Sequence, residues 1–230
     1  MSEEPSELSR GSVIEALDEV ARLDGFFVLE TAERPAERAS GSGRLASSEF
    51  AVLARAVNDR CATDEARVGV SLAHLGLAAR LWSPVLACTL LHRILPDTST
   101  VEWAEGGPAL RLAAPTGRPA GCLPSLAEAV YAEVNGPLEE LESRLTVTIA
   151  PGLLAGNVAS ALVGSAAVLL RARPDLRTEL VCLTRELLET GRLRGTGRIT
   201  GPGLTFRRRS CCLYYRIPGG GKCGDCCLAD

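Results

Sequence analysis

The chain has 230 residues, 46% of them hydrophobic, and a formal net charge of −3. That length suffices for a proper core in one domain or a tightly joined pair, and the hydrophobic content excludes a disordered chain. A weakly acidic balance argues against a nucleic-acid partner.

The opening Met1-Ser2-Glu3-Glu4-Pro5 lacks both the basic and the apolar region of a signal peptide. A cytoplasmic, reducing compartment is expected, where nine cysteines read as thiols or metal ligands rather than disulfides. Charge is unevenly spread. Acidic residues crowd the first thirty-odd positions, whereas basic residues dominate from Arg192 onward, with Lys222 the single lysine.

Ser12 and Glu15 form a capping-box pattern, and Val13, Ile14, Leu17 and Val20 continue as an amphipathic helix to about Leu23. Phe26 to Leu29 reads as a short buried strand, and residues 32–46 as an exposed loop. Gly41-Ser42-Gly43 is no phosphate loop, since no strand precedes it and no Lys-Ser/Thr follows. Helical spacing resumes over 47–58 and again over 64–80. Pro84 fits the first turn of a further helix running to about Ile94. His74 and His92, the two histidines, sit in these helices as packed or solvent-facing residues.

Val101–Ala104 and Ala109–Ala113 alternate around Gly106-Gly107-Pro108, the pattern of a β-hairpin. Trp103 is expected to pack on it. A Pro- and Gly-rich link, 115–124, precedes helices at 125–134 and 137–145. Pro151 to Leu170 is uncharged and long enough to cross a bilayer, yet it carries Asn157, Ser160, Ser165 and small residues. A buried central helix is expected, with no membrane span; peripheral membrane contact stays open. A last amphipathic helix runs from Asp175 to Thr190, stopped at Gly191. Residues 192–210 read as a flexible basic loop, with Leu204-Thr205-Phe206 and Leu213-Tyr214-Tyr215 extended. The fold class is therefore α+β, mainly α. Residues 1–191 form a helical body, and residues 192–230 a basic link and a cysteine-rich tail.

Five of the nine cysteines fall in that tail: Cys211, Cys212, Cys223, Cys226 and Cys227. A C-x-x-C turn aims two thiolates at one metal centre, and Gly224-Asp225 suits the turn. Adjacent side chains on an extended segment point to opposite faces, so Cys211-Cys212 fits two irons better than one small ion. Ile217-Pro218-Gly219-Gly220-Gly221 can reverse the chain between the two halves. Cys61, Cys88, Cys122 and Cys182 stand singly among apolar neighbours and read as small core residues. A Rieske-type centre would need two histidines near the motif, and there are none, so all-cysteine ligation is expected.

The arrangement C-C-x10-C-x2-C resembles the C-terminal motif of the FhuF-like ferric-siderophore reductases. The resemblance implies a 2Fe–2S cluster on Cys211, Cys212, Cys223 and Cys226; Cys227 beside the fourth ligand keeps the choice between Cys226 and Cys227 open. It also takes in Arg67 to Leu72, Gly76 to Pro84 and Gly156 to Leu162. What it implies is an iron-acquisition oxidoreductase moving one electron to iron held by a siderophore of hydroxamate type. The donor would be external, such as a ferredoxin or a flavin reductase. No nucleotide or flavin fingerprint argues for hydride chemistry in the chain itself.

Arg207, Arg208, Arg209, Arg216 and Lys222 could raise the cluster's potential or hold acidic groups of a partner; a solvated basic surface is the bland reading of each. Trp82, with Arg67 and Arg80, is a candidate for the docking surface, with ordinary packing and ion pairing as the alternative. Two other classes stay open: a zinc- or iron–sulfur-binding interaction or sensor protein, and an electron carrier without siderophore specificity.

Overall fold

The structure, a computed structural model, describes residues 8–23, 25–32, 45–122 and 125–229. The expected loop motif Gly41-Ser42-Gly43 lies outside them. Among the described residues the fold is mainly α, with six α-helices and seven short strands.

Helix α1 (Arg10–Val20) starts three residues before the expected start at Val13. Ser9, not Ser12, is the cap, and its hydroxyl accepts from the Ser12 amide at 3.2 Å. Either serine can cap; the earlier one adds a turn while Val13, Ala16, Leu17 and Val20 stay buried. The strand expected at Phe26–Leu29 is instead a 3-10 turn, Gly25–Phe27, that buries Phe27 and leaves Phe26 half exposed. Strand β1 (Glu30–Thr31) follows. Four consecutive apolar residues report burial but carry no period, so they do not separate turn from strand.

Helix α2 (Ser47–Arg60) leads to α3 (Ala66–Ala87), which runs unbroken through Pro84 into a π-helical turn, Cys88–His92. The break expected at Ser83-Pro84 does not occur. Here tertiary contacts override the proline: Trp82 and Ser83 are tied to a later helix, α5 (Pro151–Ala172), by Nε1–H to the Val158 carbonyl at 3.0 Å and Oγ to Ser165 Oγ at 2.9 Å.

The hairpin forms as expected, β3 (Val101–Trp103) against β4 (Leu110–Leu112), in the register Val101↔Leu112 and Trp103↔Leu110; β1 joins β4 in parallel. Trp103 packs partly on the core and donates to the Ala46 carbonyl at 3.2 Å. Strand β2 (Ile94–Pro96) pairs with β5 (Gly117–Pro119), which lies inside the expected link. One helix, α4 (Leu126–Glu142), replaces the two expected, with Pro137 in its interior and Ser125 as cap. The chain then enters α5, and α6 (Arg177–Leu188) follows.

Helix α5 packs along α3; α2 and α4 cover other sides of α3, and α6 lies on α5. Both central helices are long and apolar enough to cross a membrane, and most of that apolar surface is buried against protein. Where a loop was expected, β6 (Gly197–Ile199) and β7 (Phe206–Arg208) form an antiparallel hairpin, and β7 rests on α5.

Candidate metal centre on the C-terminal tail

The tail does not hang from a flexible link. It is bonded to both central helices, and each half of the cysteine motif has its own anchor. Ser71 of α3 donates its hydroxyl to the Cys212 carbonyl at 2.8 Å. Ser160 of α5 donates to the carboxylate of Asp225, inside the C-x-x-C turn. Asn157 of α5 lies between them, fully buried. Its Nδ2 donates to the Ser71 carbonyl at 2.8 Å, and its Oδ1 accepts from Arg208 Nη2 at 2.7 Å. At Gly156 the tail comes so close to α5 that an added Cβ would sit 2.0 Å from Ser210 Oγ.

Local geometry then sets the thiols. Leu213 takes a left-handed conformation, φ 68°, which turns the chain straight after Cys212 and brings its amide to Cys211 Sγ at 3.3 Å. Tyr214–Arg216 is a 3-10 turn, not the extended segment expected. Pro218 and Gly219, with φ +70° at the glycine, make the reversal, closed by Gly220 N–H to the Ile217 carbonyl at 2.7 Å. The returning strand reaches the C-x-x-C turn, where the Cys226 amide donates to the Cys223 carbonyl at 3.2 Å and the Leu228 amide to Cys226 Sγ at 3.3 Å.

These turns bring Cys212 Sγ within 3.4 Å of Cys223 Sγ, joining the two halves of the motif. Cys212 and Cys226 are buried; Cys211, Cys223 and Cys227 are partly accessible. Burial pushes the Cys223 thiol up, and its neighbours Cys212 and Asp225 push it the same way. Burial also raises Cys211, against the pull of the Leu213 amide, and the nearby Cys212, Cys227 and Cys226 add to the rise. Thiols this crowded resist ionising together unless a cation joins them.

The donor set fits two irons. The pairwise approach of Cys212 and Cys223 suits a centre in which each iron takes two thiolates. Two amides already donate to sulfur, an interaction that tunes iron–sulfur centres. The guanidinium of Arg208, 1% exposed, adds an unbalanced buried positive charge beside the motif, with Nε and Nη1 lacking any partner.

The other expected contacts fare unevenly. Trp82 is fully buried and bonded to Val158, so it offers no surface to a substrate; packing is its role. Arg208 is inside the protein and so also leaves the list of docking cations. Arg207 is half-buried and Arg209 exposed. Arg216 is exposed but engaged, with Nη1 2.5 Å from Glu65 Oε1 and the guanidinium over the Tyr215 ring at 5.7 Å. Arg80 lies over Phe26 at 5.0 Å.

His74 is fully buried and packs with Nε2 2.7 Å from Glu142 Oε1. Burial pushes the Cys88 thiol up to about 12, as for an inert core residue. Cys182 is exposed on α6, contrary to the core placement expected, and the Cys122 side chain lies outside the described residues. Ser71, Asn157 and Ser160 are the functional residues that sequence reasoning missed. Their signal was polarity inside otherwise apolar helices.

Residues 208–228 match the family model of the FhuF 2Fe-2S C-terminal domain, and the tail is a 2Fe–2S-binding segment of that kind. No curated protein and no solved structure matches the chain.

Proposed function

We propose that this chain, an FhuF-type 2Fe–2S segment seated on a helical body, is a cytoplasmic ferric-siderophore reductase that delivers one electron at a time to chelated ferric iron. The observation that carries the reading is the seat itself. Both halves of the cysteine motif are held by hydrogen bonds from the central helices, a buried one from α3 and a partly buried one from α5, while Cys211 and Cys223 remain partly accessible. Electron delivery to an outside acceptor needs such an arrangement: a rigid holder that moves little on reduction, and an open edge.

When bound, the cluster supplies single electrons and no hydride. Hydroxamate oxygens are hard ligands that hold ferric iron far better than the softer ferrous ion. One electron added to the iron therefore loosens the chelate, and ferrous iron leaves with the ligand intact. An external donor, a ferredoxin or flavin reductase, restores the electron.

The chain's own residues bind and orient. Arg209 and Lys222 are exposed and have no ion pair among the described residues, which leaves them to meet an acidic donor protein or the carboxylates of a chelate. Tyr214 and Tyr215 are 38% and 44% exposed next to Cys212, giving apolar faces for the body of a chelate. Buried Ser71 and Asn157, with half-buried Ser160, hold the cysteine loops in place through the exchange.

The test is anaerobic. Dithionite-reduced protein, freed of reductant, is mixed with a ferric hydroxamate while the reduced-cluster EPR signal and trapped ferrous iron are followed. Loss of the signal with matching ferrous iron is expected. A cluster that stays reduced would overturn the reductase reading in favour of a carrier or sensor. A colourless zinc protein that cannot be reconstituted with iron and sulfide would overturn the chemistry altogether.

A further inference from the structure

We infer that Arg208 is the internal counter-charge of the iron–sulfur centre, a positioning residue that sets its potential through Asn157 and Ser71. The inference rests on the iron–sulfur reading of the tail. Arg208 is among the largest fully buried side chains, and among the described residues no carboxylate pairs with it. Only Nη2 is engaged, by Asn157 Oδ1 at 2.7 Å with longer contacts to Ser210 Oγ at 3.4 Å and the Leu153 carbonyl at 3.5 Å. Nε and Nη1 have no partner.

A buried guanidinium without an anion is strongly unfavourable, so a balancing negative charge is to be expected nearby. The tail supplies one when it is loaded. A 2Fe–2S cluster on four thiolates, with two ferric irons and two sulfides, would carry a net charge of −2, and one-electron reduction would make it −3.

Arg208 meets that charge along two routes. Its own amide donates to the Asp225 carbonyl, in the C-x-x-C turn, at 3.1 Å. Its side chain leads through Asn157 to Ser71, whose hydroxyl donates to the Cys212 carbonyl. Both halves of the motif are thereby tied to one cation. A fixed positive charge stabilises the more negative reduced state more than the oxidised one, so it raises the potential. The exposed arginines of the tail are screened by solvent and salt, and Arg208 is not.

The experiment compares the full chain as wild type, Arg208→Met, Arg208→Gln and Arg208→Lys. Midpoint potentials come from anaerobic EPR-monitored titration, and urea unfolding is run on loaded and cluster-free protein. The neutral variants are expected to lower the potential enough to shift the reduced-to-oxidised ratio at fixed solution potential about tenfold or more, roughly 59 mV for one electron. Lysine should restore most of it. Cluster-free Arg208→Met should be at least as stable as cluster-free wild type, because an unbalanced buried charge is gone.

An unchanged potential, or equal destabilisation of loaded and cluster-free protein, would reduce Arg208 to a packing role and overturn the inference. If both neutral variants fold but take up no cluster while lysine does, the counter-charge role is supported; if lysine fails with them, it is overturned. Wild type that holds no cluster sinks the iron–sulfur reading instead. Wild type that holds one but leaves ferric chelates untouched sinks the reductase reading and leaves this comparison intact.

Discussion

Gly156→Ala separates the seating of the tail from the stability of the body. The new Cβ would lie 2.0 Å from Ser210 Oγ, 3.0 Å from Arg208 Nη2 and 3.4 Å from Ser210 Cβ, all atoms of the tail. Within α5 the change is favourable, since alanine gains about 1 kcal/mol over glycine in a helix interior. Against the tail it overpacks a tight contact, which costs about 1–3 kcal/mol. The two effects fall on different equilibria.

Urea unfolding of the body should hold or rise slightly, while the docked state of the tail weakens by about 1–3 kcal/mol, roughly 5–150-fold. The assay is the rate of cluster bleaching by a strong iron chelator, expected to rise within that range. Adding Ser210→Ala removes the nearest atom and should recover most of the loss, leaving the milder approach of Arg208. Wild-type bleaching in Gly156→Ala, or no recovery in the double variant, would refute the argument that this contact seats the centre.

Cys212→Ser and Cys223→Ser should each abolish the visible absorbance and the reductase activity together, whereas Cys182→Ser, on the exposed face of α6, should leave both intact. If Cys226→Ser keeps an intact cluster, Cys227 is the fourth ligand; if it bleaches, Cys226 is. Trp82→Phe should lower stability by about 1–3 kcal/mol, through the lost bond to Val158 and a small cavity, without changing the affinity for ferric chelates measured by titration.

Glu142 gives a pH dependence. Burial would raise its carboxyl, but hydrogen bonds from His74 and Arg192 outweigh that and hold it below the usual range. A depressed folded-state pKa contributes stability that is complete above the unfolded value, about 4.3, and is lost as pH falls through the folded one. The stability difference between wild type and Glu142→Gln, from urea unfolding, should therefore shrink as pH falls below about 4. A difference that grows on acidification would reverse the sign of the argument.

The sequence was legible where one residue type carries one constraint. The cysteine spacing pointed to the 2Fe–2S segment that the family model matches over residues 208–228, and the alternation about Gly106-Gly107-Pro108 pointed to the hairpin. It was illegible where packing outvotes propensity. Pro84 and Pro137 lie in the middle of long helices because the surrounding core holds each helix together, and nothing local to either proline announces that.

The site divided the same way. A run of three arginines looks like a solvated patch, yet the period of a strand sends Arg208 inward while Arg207 is half-buried and Arg209 exposed. That alternation requires β7 to be recognised through Arg208, whereas only Leu204-Thr205-Phe206 read as extended and the glycine-rich surroundings read as loop. Asn157 and Ser160 were visible as reasons to doubt a membrane span. Their partners, 51 residues away at Arg208 and 65 away at Asp225, exist only in three dimensions.

The separate anchoring of the two cysteine pairs bears on how the protein is made. Translation delivers α3 and α5 well before residue 211, so Ser71, Gly156, Asn157 and Ser160 can already be in place when the first thiol of the motif emerges from the ribosome. The helices then act as a jig, presenting hydroxyl and amide groups that sort the incoming loops before any iron arrives. Maturation becomes a templated step: assembly machinery meets two loops already held by the helices, with Cys211 and Cys223 partly accessible, rather than thiols scattered along a loose chain. Damage to the jig would appear as an iron-poor but well-folded protein, a defect that supplying more iron and sulfide would repair only in part.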